Sequence, residues 1–458
     1  SFPTRRSSDL IYRLKGDSIN CFEHLDTLFA AMDRLAEPKQ KQYLYTTRAG
    51  CYSAFKNYEQ ALADYKEADR QLATKYPKSD GDRIKLLALM GGMEHRMKHY
   101  DESERFYKEY ADGMKMLHGE NSEDYIDAVY YLANAEGFAD HIDDACNHYT
   151  FSIEKTKTQI HQKLPYYTAV EREAYWNSKA DLLRNTTAFA VKAEAWQTEF
   201  TKNCYDALVL SKSFLLESER STYDIVKSNG TEEDLHDMAM ITAMQAKIKD
   251  WERDYAHNAD SILEVATKAD ALEKRLTGRC RSYGDMTSFM NIGYENVKKA
   301  LQNDDVLIDF TDYVTESRGR VYAAYLVNKS QKYPLLKELF EESVIDSMKV
   351  PQPDMYYIAK NGNELYRLLW EPFKDGVKDG ATVYYVPSQL LFQIALESLP
   401  MEDGTLLGEH YTFVRLSSAR EVVRNNTRLN IDVAVKGTNA ILYGGLKYDL
   451  GADDALPI

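Results

Sequence analysis

The chain has 458 residues, 44% of them hydrophobic, and 57 Lys and Arg against 72 Asp and Glu give a formal net charge of −15. This length has room for two or three domains with a sizeable core. No long uninterrupted apolar run is present, which argues for a soluble globular chain over a membrane one, and the acidic balance repels phosphate backbones, so no nucleic acid is expected as partner. Cys21, Cys51, Cys146, Cys204 and Cys280 are scattered, odd in number and without a C-x-x-C pair, which suits reduced thiols in a cytoplasm better than a disulfide framework.

Both ends stand apart from the rest. Residues 1–10, SFPTRRSSDL, read as a translated sequencing adapter, and residues 454–458, DALPI, as another frame of the same oligonucleotide. Neither enters the fold reasoning. The interpretable segment is residues 11–453, with its native termini unseen and a signal peptide therefore neither expected nor excluded.

Residues 11–165 read as a helical array. Phe22, Leu25, Phe29, Met32 and Leu35 recur at helical spacing, and Pro38 is expected to close this leading segment. A fixed period follows: Tyr58, Ala61 and Tyr65 recur as Tyr100, Ser103 and Tyr107, and again as Ile142, Ala145 and Tyr149, each set 42 residues on. A small residue at a helix crossing lets two helices approach, and an aromatic one turn later fills the groove between hairpins. The pattern, with Tyr52 and Ala68 also at favoured positions, resembles tetratricopeptide (TPR) repeats in a long-period form. Two constellations in the array carry possible chemistry. His95 and His99 stand at a metal-ligand spacing, but no acid lies between them and no third ligand is near, so two solvated histidines are expected. Cys146 and His148, beside Asp143 and Asp144, are two apart on a helix and point away from each other, so Cys146 is expected to be a packing residue.

Residues 166–293 form a second helical region. The sequence stays helical through Ala169–Phe200, and Tyr205 to Leu216 reads as one apolar helix. Asn229-Gly230 breaks the pattern before Thr231-x-x-Asp234, a capping box. Ile241, Met244, Ile248, Trp251 and Tyr255, then Ile262, Ala266, Ala269, Leu272 and Leu276, predict two helices of an antiparallel hairpin turning at Asn258-Ala259-Asp260.

Residues 294–453 read as an α/β domain. Val306–Phe310 and Val321–Val327 predict a β-hairpin joined by Thr315 to Gly319, and Leu365, Leu368, Leu369 and Phe373 one face of a helix capped near Asn363 and ended around Pro372. Thr382 to Val386 is a buried strand stopped by Pro387, Asp403-Gly404 a turn, Tyr411 to Leu416 a further strand, and Ser417-Ser418 the N-cap of a helix from Ala419. Ala440–Tyr443 is a last short strand.

In this domain VPSQLLFQIALESLP (386–400), the Gly408-Glu409-x-Tyr411 step and RLSSAR (415–420) resemble the core of a CHAT domain, the caspase-like cysteine peptidase module that follows TPR arrays in bacterial proteins. The match runs from about Tyr294 to Tyr448, and YDALVLSKSFLLESE is similar to the family's helical lead-in. Ser388-Gln389-Leu390-Leu391 departs from the family's Asp-Gly-x-Leu turn. The resemblance implies the front part of a partial, mainly parallel sheet flanked by helices. It places the catalytic His and Cys on loops beyond Tyr448. His410 is the only histidine of the domain and no cysteine follows Cys280, so no catalytic, cofactor-binding or metal residue is assigned, and the segment is expected to be inactive. The resemblance thus implies a fragment of a TPR-CHAT peptidase whose array binds a protein or peptide in its groove, a setting the family allows in bacterial defence or programmed death. The alternative is an interaction scaffold with a non-catalytic α/β platform.

Overall fold

The computed structural model describes residues 18–30, 37–280, 287–348, 356–357 and 359–429; the adapter-like ends, Met32, Leu35 and the expected strand at 440–443 lie outside them. Helix α1 (Ser18–Phe29) leads into the hairpins α2 (Pro38–Ala54) with α3 (Tyr58–Ala73), α4 (Gly81–Arg96) with α5 (Tyr100–His118), and α6 (Glu123–Phe138) with α7 (Ile142–Lys163). These stack as a TPR-like superhelix. Ala61, Ser103 and Ala145 are each fully buried at the crossings, and the Ser103 hydroxyl donates to the Gly91 carbonyl at 3.0 Å.

The inter-helix turns repeat as strictly as the crossings do. Lys56, Lys98 and Asp140, 42 residues apart, have φ of 62°, 64° and 63°. In each turn the next residue's N–H returns to the carbonyl five residues back, Asn57 to Tyr52 at 2.8 Å, His99 to Glu94 at 2.9 Å and His141 to Glu136 at 2.9 Å, the left-handed closure that ends a helix. Pro38 does not close the leading segment; it opens α2 at the first turn, where its missing N–H has no intrahelical partner to lose.

Beyond the array come α8 (Ala169–Arg184), α9 (Thr186–Lys192), α10 (Glu199–Ser211), α11 (Phe214–Asn229), α12 (Glu232–Trp251), α13 (Tyr255–Cys280) and α14 (Tyr294–Ala300). The single helix expected over 205–216 is broken: α10 ends at Ser211, and Ser213 at φ 55° turns the chain into α11. The Thr231 capping box forms, with the Asp234 N–H donating to Thr231 Oγ1 at 3.2 Å and the Thr231 N–H to Asp234 Oδ2 at 3.0 Å. Helices α12 and α13 make the expected hairpin, but they turn at Glu252–Asp254, and residues 258–260 lie inside α13. Asn258 Nδ2 donates to the Asp254 carbonyl at 2.9 Å, so the polar cluster secures the helix start instead of breaking it.

The C-terminal region holds a five-stranded sheet of β1 (Val306–Thr315), β2 (Gly319–Asn328), β3 (Leu335–Glu341), β4 (Thr382–Val386) and β5 (Thr412–Arg415) in the order β3-β2-β1-β4-β5. The hairpin β1–β2 pairs from Val306↔Asn328 to Thr315↔Gly319, with Gly319 at φ 66° closing the turn. Strands β2 and β3 are antiparallel, while β1–β4 and β4–β5 are parallel. The sheet is therefore evenly mixed and not mainly parallel; β3 escapes the sequence reading because Lys337 and Glu338 interrupt its alternation on an edge strand.

Helices α15 (Glu342–Ser347), α16 (Ala359–Leu369), α17 (Leu407–His410) and α18 (Arg420–Leu429) complete the described chain. Helix α16 starts before Asn363, not at it. Asn361-Gly362-Asn363 reads as a breaker, yet a Cβ at Gly362 would stand 2.9 Å from the Pro400 ring, so this glycine serves close packing against the strand-end loop. The sheet is buried on both faces, as β2 records by parity. Val321, Ala323, Tyr325 and Val327 join one apolar cluster with Phe189, Tyr205, Leu208, Tyr294 and Val422, and Tyr322, Ala324 and Leu326 join another with Leu365, Leu369, Trp370 and Phe373. Double burial explains why these strands read as continuous apolar runs. The first cluster also holds Ala133, Ala145 and Tyr149 of the array, so array, α9–α10 and sheet share one core.

Candidate functional site

At the C-terminal ends of the parallel strands, where α/β sheets commonly bind ligands, the chain is closed. Leu391, Ile394 and Leu396 are buried over Phe310 and Leu369, and the Ser388 hydroxyl donates to Asp312 Oδ1 at 2.5 Å while Arg320 pairs with the same carboxylate. His410 sits at the opposite edge, before β5. Its Nε2 is 2.9 Å from Thr405 Oγ1 and its Nδ1 3.3 Å from Asp379 Oδ1, with no cysteine in this network.

Contrary to expectation, the array histidines are not both solvated, and they do not share a helix. His95 is half-buried, its ring edge-on to Phe138 at 4.6 Å and beside Tyr100 at 5.5 Å. His99 lies beyond the end of α4, and its Nδ1 is 2.9 Å from Glu94 Oε2. Among the described residues no cluster of three metal-ligating side chains occurs. Cys146 and His148 do not pair: His148 Nδ1 is 2.8 Å from Glu136 Oε2, and burial together with Asp143 pushes the Cys146 thiol up to about 11, the behaviour of an inert packing cysteine.

The feature that can bind something large is a cleft of about 810 Å³ between the array and the sheet. Its walls come from the ends of α4 and α6, the starts of α3 and α5, helix α9 and the tip of the β1–β2 hairpin. Aromatic rings make the floor: Tyr100 stacks on Phe138 at 5.2 Å, and Tyr107 and Tyr58 lie beside them. Arg96, Lys98 and Lys192 converge on it, all exposed. Lys192 Nζ stands 4.2 Å from the Phe138 ring centre and the Arg96 guanidinium 5.7 Å from that of Tyr58. None of the three forms an ion pair with a described residue. Burial pulls the Lys192 ammonium below its ordinary range. Burial also pulls His95 down, aided by the positive Arg96 and Lys192 and opposed by Glu316 on the hairpin tip.

A second cleft of about 720 Å³ lies against α3, α4 and α5, but of its cations only Lys78 is without an ion pair among the described residues. Arg83 is held by Asp69 at 2.7 Å and Arg105 by Glu102 at 2.6 Å. The sequence reading located a groove in general and none of these cations in particular. The signal available for two of them was their place in the repeat, since Arg96 ends α4 and Lys98 is the left-handed residue of the turn that follows.

A different buried cluster fastens the sheet to the helices. Asp309, fully buried on β1, receives Lys212 Nζ at 2.6 Å from the break after α10. Arg420, also fully buried, donates to the carbonyls of Val209, Leu210 (2.7 Å) and Lys212 (2.9 Å), so it caps the C-terminal end of α10, where a helix favours a cation. Burial brings Arg420 down to about 10. The work of this cluster is structural.

No family model matches the chain, and no curated protein matches it. Among solved structures it is similar to BtubC (BKLC) from P. vanneervenii, at 15% identity over 41% of this chain and 76% of that one with a TM-score of 0.31. It is also similar to kinesin light chain TPR-like repeats from Podosopora anserina, at 14% identity over 45% of this chain and 94% of that one with a TM-score of 0.36. A variant of the same repeats matches at 12% identity, over 42% and 95%, with a TM-score of 0.32. No helix among the described residues is long and apolar enough to cross a membrane.

Proposed function

We propose that this chain is a protein-interaction scaffold whose array-to-sheet cleft takes an acidic, aromatic-bearing peptide segment of a partner protein. The observation that carries this reading is the convergence of Arg96, Lys98 and Lys192, without ion-pair partners, over an aromatic floor in a chain whose net charge is −15. Cations left unpaired on a surface otherwise rich in carboxylates make a local field of the opposite sign, which selects and steers an anionic partner. The rings accept apolar side chains and stack with aromatic ones.

Fluorescence anisotropy with a labelled Glu- and aromatic-rich peptide tests it. Binding weakens with added salt, a Lys-rich peptide of equal length does not bind, and Arg96→Glu with Lys192→Glu lowers affinity by at least about tenfold, about 1.4 kcal/mol. Equal affinity for both peptides, or an unaffected double variant, overturns the reading.

A finer reading is favoured by one observation, the three adjacent parallel strands β1, β4 and β5 beneath the 386–420 segment that resembles a CHAT core. In it the intact protein is a caspase-like cysteine peptidase regulated by what the array binds. The described residues then supply the regulatory part, since no His–Cys pair occurs at their strand ends. Thiol-dependent cleavage of fluorogenic peptides by the 458-residue chain would refute that assignment.

A further inference from the structure

The spacing of the cysteines gives no pairing, yet the fold brings two of them together. Cys21 on α1 and Cys51 on α2 face each other with their sulfurs 3.0 Å apart, and both are fully buried among Leu25, Phe22, Leu28 and Phe55. The repeat itself shows that packing does not require a thiol at the place of Cys51. The residues 42 and 84 positions beyond it are Met93 and Ala135, both buried and neither with a thiol. Cys51, which Cys21 meets from α1, is thus outside the pattern that the later hairpins follow. The remaining described cysteines are placed differently: the Cys204 thiol donates to the Thr186 carbonyl at 3.6 Å, and Cys146 and Cys280 are held protonated by burial.

We propose that Cys21 and Cys51 are a thiol pair built to close into an intramolecular disulfide, with a small-molecule disulfide such as oxidised glutathione as its electron acceptor. One cysteine thiolate attacks the glutathione disulfide and expels one glutathione thiolate. The second cysteine thiolate then displaces the other, so two protein thiols and one oxidised glutathione give one protein disulfide and two reduced glutathiones, which carry away both protons. A bond of about 2.05 Å needs the sulfurs to close by about 1 Å, a shift within reach of one helix packed against another. Because both sulfurs are buried, the exchange proceeds through transient opening of α1, and the cross-link afterwards denies α1 that opening. The pair therefore fixes α1 to α2 in oxidising surroundings and leaves it free to part in reducing ones.

The test uses the whole chain, incubated with oxidised glutathione and a disulfide isomerase, then alkylated, digested and mapped by mass spectrometry. The reactive thiols are expected to fall by two, from the five of the sequence, with a linked peptide pair carrying Cys21 and Cys51. Cys21→Ser and Cys51→Ser each retain all of their remaining thiols, while Cys146→Ser and Cys204→Ser still lose two. Circular dichroism confirms that each variant is folded. Five thiols persisting at equilibrium, or a linkage involving any other cysteine, overturns the proposal.

Discussion

Lys212→Met isolates the most exacting interaction in the molecule. Asp309 is fully buried in β1 and its partner Nζ lies 2.6 Å away; at an effective dielectric constant near 20 that pair attracts by about 6 kcal/mol, most of it offsetting desolvation. Removing the lysine leaves a buried carboxylate whose second oxygen already lacks a partner, and the loss expected is about 3–5 kcal/mol. Lys212→Met with Asp309→Asn removes the uncompensated charge and should recover most of it.

The pH dependence has a definite sign. Burial holds the Asp309 carboxyl above its ordinary value, with Lys212 opposing. The native state thus binds a proton more readily than the unfolded one, and stability falls as pH rises from the unfolded value through the folded one. Without Lys212 the folded value climbs further. The cost of Lys212→Met is then full above that value and shrinks as the pH drops below it. Urea titrations followed by tryptophan emission measure this, since Trp370 is fully buried beside the sheet. A cost below about 1 kcal/mol at neutral pH, or a double variant no more stable than Lys212→Met, refutes the reasoning.

Other expectations follow from single contacts. A Cβ at Gly137 would lie 2.5 Å from the Phe189 ring, so Gly137→Ala should cost about 1–3 kcal/mol in denaturant titrations and, by shifting α9 with Lys192, weaken acidic-peptide binding. Lys56 holds a left-handed backbone at φ 62°, and Lys56→Gly should stabilise the array by about 1 kcal/mol in the same assay. Glu316 is the acidic side chain among the cleft's lining residues, and Glu316→Gln should tighten the anisotropy curve for the acidic peptide two- to threefold, by about 0.5 kcal/mol. The Glu136 carboxylate raises His148 above its ordinary value; that stabilisation is complete below about pH 6.5 and is lost as pH rises through the folded value, which an NMR titration of the ring reads directly.

The helical half was legible where the signal was periodic. Positions 58/100/142, 61/103/145 and 65/107/149 land on equivalent turns of α3, α5 and α7 because each hairpin must present the same small and aromatic residues to its neighbour. The left-handed residues at 56, 98 and 140 were invisible, since Lys and Asp stand where glycine would have announced the turn. Pattern also failed where one composition serves two ends. The Leu, Val and Phe run across 205–216 hides the break at Lys212-Ser213, because α10 ends in the apolar Leu208, Val209 and Leu210 and α11 opens on the apolar Phe214, Leu215 and Leu216. Asn258 reads as a breaker until its side chain is seen to bond the preceding carbonyl. The cleft was legible only as a groove, for its cations come from α4, the following turn and α9, and only tertiary folding gathers them. Cys21 and Cys51 illustrate the same limit at a separation of 30 residues.

Arg420 has a consequence for how the molecule is made. Its three carbonyl partners precede it by 211, 210 and 208 residues, so on the ribosome the tail of α10 emerges long before its cap. At about 5–20 residues per second that stretch waits roughly 10–40 s with its carbonyls wet. The array can assemble from local contacts during synthesis, while the joint to the sheet sets only when α18 arrives, as the last stone closes an arch.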